Sequence, residues 1–333
     1  MNRKKVNRLI CTFLMLLAFL VGVSLSVGKY PISLQDIVRI LRGQEVEQMT
    51  YAVFMTLRLP RTLMAVLAGA GLSLAGYIYQ LLFKNILASP DIIGVASGAN
   101  AGAALGIVVM GAGSVLVPIY AFFGGILAVL LVMLFAKNGH RNSLATIVLS
   151  GIVVSAMAEA VIMILKLLAD PNSELAPLEY WSMGGLSAIT ASKVFWVLPF
   201  FLPGMVALFL VRYQITILGL SNEEASALGV RVKLVRSIVL AATTVIVSAI
   251  VSVTGLITFI GLIAPHAARM ITQKSNLQTA TLSCILGSIL MLLADCGARG
   301  FSEIEIPISI LTSLIGAPFL VILMIKRRDW RFY

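Results

Sequence analysis

The segment VLVPIYAFFGGILAVLLVMLFA, residues 115–136, decides the fold class, because it contains 22 consecutive residues without a charged side chain. A helix needs about 20 apolar residues to cross the roughly 30 Å of hydrocarbon in a bilayer. Such a helix satisfies its backbone hydrogen bonds internally, which the interior of a membrane requires. The segment is therefore predicted to be a transmembrane helix.

Nine further segments are apolar over similar lengths, so the sequence predicts an all-α polytopic membrane protein with about ten transmembrane helices. Residues 1–333 are interpreted as a single transmembrane domain. The apolar run after the N-terminus exceeds the length of a signal peptide and lacks a cleavage site, which favours a retained first span. The predicted bounds are Leu9–Val27, Thr62–Phe83, Ile92–Met110, Leu144–Leu168, Val194–Arg212, Ser237–Val253, Leu256–Ile271, Thr279–Asp295 and Ile308–Ile325.

Composition excludes a soluble globular protein. Hydrophobic residues make up 59% of the chain, charged residues 12%, and the mean hydropathy is +1.01, whereas soluble domains are about one quarter charged. The net charge of +11 would suggest nucleic-acid binding in a soluble protein. In a membrane protein, basic residues are expected in cytoplasmic loops, so no nucleic-acid partner is predicted.

The distribution of basic residues predicts the orientation. When the N-terminus is placed inside, most Lys and Arg residues fall on the inner side, notably within 3–8, 231–236 and 326–331. Basic loops remain on the cytoplasmic side of a membrane. Both termini are therefore predicted to be cytoplasmic, which agrees with an even number of spans.

Residues that would support enzymatic chemistry are scarce. The chain has three cysteines without paired spacing and two histidines, so no metal site is predicted. It contains no HExxH, GxSxG or GxxxxGK[ST] motif, which argues against zinc proteolysis, serine hydrolysis and ATP binding. A structural role is favoured for His266. The sequence predicts that the chain is not an enzyme and binds no cofactor.

Two connections between spans are long enough to carry their own structure. Residues 28–60 include SLQDIVRILRG, whose apolar side chains recur at helical spacing and predict a surface helix. On the inner side, 213–235 include SNEEASALGVRV, where Ser221 or Asn222 is placed to cap a short helix and Gly229 to end it. A short capped helix on the cytoplasmic face suits the docking of a partner, although an ordinary solvated loop is the alternative.

Glycines and charges within the spans make further predictions. Gly94, Gly98, Gly102 and Gly106 recur every four residues and predict a ridge for close helix packing. Intramembrane carboxylates are costly and suggest function. Glu159 lies seven residues before Lys166, on the same helix face, where either a cavity-facing pair or a water-filled path is consistent with the spacing.

Seven segments, in order along the chain, form a recognisable set. They are RLPRTLMAVLAGAGLSLAG from Arg58, QLLFKNILASPDIIGVASGA from Gln80, YWSMGGL from Tyr180, ALGV from Ala227, GLITFIGLIAPHAARMI from Gly255, LADCGAR from Leu293 and EIPISILTSLIGAPFL from Glu305. Together they resemble the FecCD family, the permease subunits of ATP-binding-cassette (ABC) importers for iron chelates, haem and cobalamin. The resemblance extends from Arg58 to beyond Leu320.

The resemblance implies a type II ABC importer permease fold, like that of the cobalamin importer, in a bacterial cytoplasmic membrane. It implies a homodimeric channel, two cytoplasmic ATPase subunits that bind ATP and magnesium, and an extracytoplasmic substrate-binding protein. A heterodimer with a paralogous permease is the alternative assembly. A ferric siderophore is the preferred substrate, with haem, cobalamin and molybdate as alternatives. An ion-coupled secondary transporter is the alternative function.

The resemblance also implies three functional regions. The segment Asn222–Val230 corresponds to the coupling helix that contacts the ATPase, with Glu223, Glu224, Ala225, Leu228 and Gly229 as its candidate residues. Asn142, Ser143 and Thr146 match a cytoplasmic gate in position, and a plain basic turn is the alternative.

Three outer arginines, Arg58, Arg61 and Arg299, are implied to dock glutamates of the binding protein. Contact with lipid headgroups, or local pairing with Glu303 or Glu305, is the alternative for them. Reversing the charges of Arg58 and Arg61 is expected to weaken docking and to leave stability nearly unchanged.

Overall fold

The computed structural model describes residues 3–138, 144–300 and 305–325, which form fifteen α-helices and no β-strand. The prediction of an all-α membrane protein is confirmed. The helices are α1 (Arg3–Ser26), α2 (Leu34–Leu41), α3 (Gln48–Val53), α4 (Leu59–Leu82), α5 (Val95–Met110), α6 (Val117–Asn138), α7 (Leu144–Leu168), α8 (Leu175–Ser182), α9 (Ala191–Leu210), α10 (Arg212–Ile217), α11 (Asn222–Ala227), α12 (Val232–Thr254), α13 (Ile260–Thr272), α14 (Leu277–Gly300) and α15 (Ile308–Ile325).

Each of the ten predicted spans coincides with a helix. In the part of the chain that the structure describes, seven helical segments are long and apolar enough to cross a membrane. These are α1, the segment from α3 to α4, α6, α7, α9, α12 and α14. The other three predicted spans, α5, α13 and α15, are shorter.

The second span begins earlier than predicted. α3 continues through a π-helical turn, Phe54–Arg58, into α4, so that Gln48–Leu82 is one helical segment of 35 residues. Pro60 has no N–H and would normally end a helix. Here it directly follows the π turn, in which the hydrogen-bond ladder is already shifted and the Leu59 N–H donates to Phe54 O. Arg58 and Arg61 therefore lie inside a helix rather than in the preceding loop.

Two spans begin later than predicted because the backbone turns sharply at their starts. Gly94 has φ +72° and separates a 3-10 turn, Pro90–Ile93, from α5. Phe259 has φ +67° immediately before α13. Left-handed φ values interrupt an α-helix. Apolar composition continues through both interruptions, so hydropathy alone did not locate them.

The ninth span ends later than predicted, since α14 continues to Gly300. Asp295 and Arg299 are therefore helical residues one turn apart. The predicted surface helix in 28–60 is α2, which is capped by the Ser33 side chain. Three short helices were not predicted: α3, which leads into the second span, α8, which follows the loop after α7, and α10, which follows α9.

The described residues divide into two compact units that alternate along the chain. The first comprises 3–74, 185–198 and 258–325, and the second comprises 75–184 and 199–257. Both α4 and α9 contribute to each unit. The prediction of a single transmembrane domain remains a prediction.

In the first unit, α14 is central and packs against α1, α13 and α15. It also approaches the first part of α4 so closely that a Cβ atom built on Gly69 would lie 2.6 Å from the Ser288 Cα. Two serine hydroxyls donate across this contact, from Ser288 to Val66 O at 2.9 Å and from Ser283 to Ser73 O at 3.2 Å. In lipid, small residues and such hydrogen bonds hold helices together.

In the second unit, α5 packs against α6 through the predicted glycine ridge. A Cβ atom on Gly98 would lie 2.6 Å from Gly124 O, and one on Gly102 would lie 3.1 Å from Ala121 Cα. Gly106 makes a looser contact, at 3.2 Å from Tyr120 Cβ. Gly94 differs from these three glycines, because it precedes α5 and lies beside Ser155 of α7.

Candidate functional site

The end of α1 is held by arginine side chains. The last carbonyl groups of a helix have no partners within the helix. Arg58 donates to Val27 O and, at 3.2 Å, to Tyr30 O. Arg299 donates to Val27 O at 3.0 Å and to Ser24 O at 3.2 Å, and it also contacts the Ser24 hydroxyl at 2.9 Å. Two guanidinium groups thus cap α1 and fasten it to the π turn that precedes α4 and to α14.

Asp295 binds two of the outer arginines. Its carboxylate accepts a hydrogen bond from Arg61 Nε at 2.7 Å and forms an ion pair with Arg299 Nη2 at 2.8 Å. Glu305 binds Arg61 Nη1 at 2.9 Å. The Asp295 side chain is fully buried, whereas that of Glu305 is 31% exposed. We call Arg58, Arg61, Arg299, Asp295 and Glu305 the outer charge cluster.

The outer charge cluster changes the expectation for docking. Arg58, Arg61 and Arg299 are only 7%, 8% and 6% exposed, so their guanidinium groups are engaged inside the unit. Local pairing, one alternative that the sequence left open, is realised between Arg61 and Glu305; Glu303 lies outside the described residues. Three arginines face two carboxylates, which leaves one excess positive charge. Docking of a binding protein by these arginines remains a prediction.

The predicted coupling helix is α11, and its start has the full capping-box geometry. The Glu224 N–H donates to the Ser221 hydroxyl at 3.2 Å, and the Ser221 N–H donates back to the Glu224 carboxylate at 2.9 Å. Of the two candidate caps, Ser221 is therefore the one used. The Ser221 N–H and then its hydroxyl lower the pKa of Glu224. Because its pKa is lowered, ionised Glu224 stabilises α11 fully at pH values above the ordinary carboxyl pKa. This contribution is lost as the pH falls through the lowered pKa.

The end of α11 matches the prediction made for Gly229. This glycine has φ +81°, and the Val230 N–H donates to Ala225 O at 3.1 Å across the turn, as in a Schellman motif. Ala225 is buried against the unit, whereas Leu228 is 62% exposed. Glu223 and Glu224 are also exposed. α11 therefore presents an apolar tip and two carboxylates at the surface, on the side that is predicted to be cytoplasmic.

The candidate gate cannot be assembled from the described residues, because Asn142 and Ser143 lie outside them. Thr146 belongs to the first turn of α7 and is partly buried. The gate stays a prediction. His140, Arg141 and the basic residues after Ile325 also lie outside the described ranges.

The ion pair considered within α7 does not form. Lys166 binds Glu179 of α8 at 2.7 Å instead. Glu159 is exposed on the surface of α7, and the exposed apolar residue Met163 lies one turn further along the same helix face. The sequence spacing placed the two residues on one face, but the loop after α7 brings a closer carboxylate to Lys166.

His266 is buried in α13, where its ring packs edge-on against Phe319, with 5.7 Å between the ring centroids. Among the residues that the structure describes, no three His, Cys, Asp or Glu side chains are grouped as metal ligands. The geometry around His266 is that of a packed core residue.

A family model provides the decisive comparison. The model of the FecCD transport family matches residues 15–326, which include all the candidate sites. The chain belongs to the FecCD transport family. The family assignment confirms the resemblance found in the seven sequence segments.

Relatives within the FecCD family have similar lengths. The chain is 35% identical to the molybdate import system permease protein MolB of Haemophilus influenzae, over 94% of each chain. It is 36% identical to a probable iron chelatin transport system permease protein of Helicobacter pylori, over 86% of each chain. This FecCD chain is therefore an ABC importer permease, a transport subunit of the cytoplasmic membrane.

A solved structure shares the fold. A metal-chelate type ABC transporter in an inward-facing conformation matches with a TM-score of 0.86 and 31% identity, over 96% of this chain and 99% of that chain. The predicted ABC importer permease fold is confirmed by this match. The similarity covers both compact units of the FecCD chain.

Proposed function

We propose that two copies of this chain form the channel of an ABC importer for a ferric siderophore or a related metal chelate. Two separate ATPase subunits would bind Mg-ATP and dock on α11, and an extracytoplasmic binding protein would deliver the substrate. The relative from Helicobacter pylori is named for an iron chelatin and the one from Haemophilus influenzae for molybdate, so molybdate is the principal competing substrate. Haem and cobalamin are further candidate substrates.

The position of Glu159 carries the proposal of a channel between two copies. An ionised carboxylate in the middle of a membrane helix is costly when it faces lipid, and such residues face a water-filled cavity or a partner. Glu159 is exposed near the middle of α7. The exposed face of α7 is therefore better suited to a water-filled path beside a second copy than to the lipid tails.

Transport itself tests the proposal. Proteoliposomes that contain the chain, its ATPase and its binding protein should accumulate the chelate only when ATP is present. A Walker-lysine variant of the ATPase should abolish uptake, because the chain itself has no phosphate-binding motif. Uptake that persists with this variant and follows an ion gradient would instead establish the secondary transporter. Titrating the purified binding protein with ferric siderophore, haem, cobalamin and molybdate would identify the substrate.

Accessibility of position 159 tests the channel separately. In a variant in which Cys11, Cys284 and Cys296 are replaced by serine, Glu159→Cys should react with a membrane-impermeant thiol reagent. Leu127→Cys is the matched control, since Leu127 is 56% exposed on α6 and belongs to the uncharged segment 115–136. Labelling at position 159 but not at 127 is expected. If neither cysteine reacted with the reagent, the face of α7 that carries Glu159 would be in contact with lipid.

A further inference from the structure

A pocket of about 940 Å³ lies in the second unit, where the end of α6 meets the starts of α7 and α12. The distribution of basic residues places all three helix ends on the cytoplasmic side of the membrane. Four basic residues line the pocket, namely Lys137, Arg231, Lys233 and Arg236. We call this feature the basic pocket.

Ion pairs among the described residues do not neutralise the charge of the basic pocket. In the described ranges, none of its four basic residues forms an ion pair. Arg236 donates one hydrogen bond, to the Asn222 side chain at 3.1 Å, while its buried Nε has no partner among the described residues. A buried, unsatisfied donor of a charged group is costly. The basic pocket is therefore complementary to an anion.

The backbone adds to this preference. The pocket lining includes the first turn of α12, where Val232, Lys233 and Leu234 follow an N-cap without a side-chain hydrogen bond. The N–H groups of a first turn have no partners within the helix and favour negative charge. Backbone and side chains thus direct hydrogen-bond donors and positive charge into one cavity.

The remaining lining identifies the source of the anion. Met133, Ile147 and Leu240 line the same pocket and belong to membrane-spanning helices. Leu234, on the rim, is 52% exposed. A free phosphate ion would leave this apolar surface uncovered, whereas a phospholipid would place its acyl chains against it. Basic pockets between helices on the cytoplasmic side are suited to anionic lipid headgroups.

We propose that the basic pocket binds the phosphate group of an anionic phospholipid, such as phosphatidylglycerol, from the cytoplasmic leaflet. The bound lipid would fasten α12 to α6 and α7 beside α11. The proposal concerns a lipid site and does not depend on which substrate the chain transports.

Native mass spectrometry of the full chain, delipidated in detergent and titrated with phosphatidylglycerol, tests the proposal. Wild type should bind one lipid per chain in preference to phosphatidylcholine. Lys137→Gln with Arg236→Gln should weaken this affinity by about 30-fold, because each basic residue near a lipid headgroup contributes about 1 kcal/mol and 1.4 kcal/mol is tenfold. Lys137→Gln with Lys233→Gln, which changes only exposed side chains, should weaken it similarly if the first variant fails to fold.

The matched control is Lys274→Gln, which removes an exposed basic residue from the same membrane side but outside the basic pocket. It should bind phosphatidylglycerol like wild type. Equal loss in the control and the pocket variants would overturn the specific site. Displacement of the lipid by millimolar inorganic phosphate would overturn it in favour of a soluble anion. Unchanged lipid binding in the pocket variants would equally overturn the proposal. The basic pocket would then be assigned to another occupant, the surface of the ATPase.

Discussion

Asp295 binds two guanidinium groups from a position that is fully buried, which makes it the residue on which the outer charge cluster depends. Removing one partner of a buried ion pair leaves an uncompensated charge and costs about 3–5 kcal/mol. Asp295→Asn keeps the shape of the side chain and removes its charge. We expect this variant to lose stability on that scale, measured as the midpoint of thermal or denaturant unfolding in detergent.

Glu305→Gln is the control for this prediction. It removes a carboxylate from the same cluster, but the Glu305 side chain is 31% exposed and, within the described ranges, forms an ion pair with Arg61 alone. Water screens a partly exposed pair, so a loss of about 1 kcal/mol or less is expected. If both variants unfolded at the same point as wild type, the cluster would contribute no stability.

The arginines of the cluster were predictable from the sequence, but their contacts were not. Arg58, Arg61, Arg299 and Asp295 were all assigned to the outer ends of spans. Arg61 and Asp295 are 234 residues apart, and a pairing across that separation depends on which helices are neighbours. One available signal was missed: a carboxylate within a membrane span requires a partner, and Arg58, Arg61 and Arg299 were assigned to span ends on the same side as Asp295.

At the scale of elements, hydropathy located every span, but backbone conformation determined the boundaries. The span Leu144–Leu168 was predicted to the residue, since polar residues precede and follow its apolar run. The start of α13 was missed because Phe259, immediately before it, has a positive φ; its ring lies against Gly316 of α15. Apolar periodicity carries no information about such a turn.

The end of α11 offers a prediction for coupling. Gly229 has a left-handed φ, and a Cβ atom there would contact nothing within 4 Å, so substitutions act through backbone strain alone. A β-branched residue pays about 1–2 kcal/mol in this conformation, which is enough to reshape the end of a six-residue helix. Gly229→Val should therefore reduce the stimulation of the ATPase by the assembled permease, while thermal stability of the permease changes little.

Gly229→Asn is the matched variant, because Asn tolerates the left-handed region. It should retain coupling, measured as ATP hydrolysis and uptake in the same proteoliposomes. Glu223→Lys with Glu224→Lys should also uncouple ATP hydrolysis from transport. This double variant removes the capping box and reverses the charge that α11 presents. Normal coupling in Gly229→Val would show that α11 is an ordinary solvated helix without a part in coupling.

At the scale of the whole molecule, the docking prediction must be reconciled with a buried cluster. The sequence predicted that reversing the charges of Arg58 and Arg61 would leave stability unchanged. The structure argues against this, because Arg61→Glu would place a third carboxylate beside Asp295 and Glu305. A charge reversal at Arg61 would therefore change stability and docking together. Arg58 is the suitable position for a test of docking.

Arg58 contacts only backbone carbonyls in the described part of the cluster, so Arg58→Gln retains a donor and removes one positive charge. A charge acts across about 10 Å at 0.1 M salt and mainly raises the rate of encounter between complementary surfaces. The excess positive charge of the cluster would therefore steer an acidic binding protein without full exposure.

Arg58→Gln should slow association with the cognate binding protein at low salt and should flatten the salt dependence of the association rate. Arg42→Gln, which removes an exposed arginine assigned to the same membrane side, should alter both quantities less. The measurement is the association rate by surface plasmon resonance at several salt concentrations, with unfolding in detergent measured in parallel; identical salt dependence in both variants would contradict steering by the outer charge cluster.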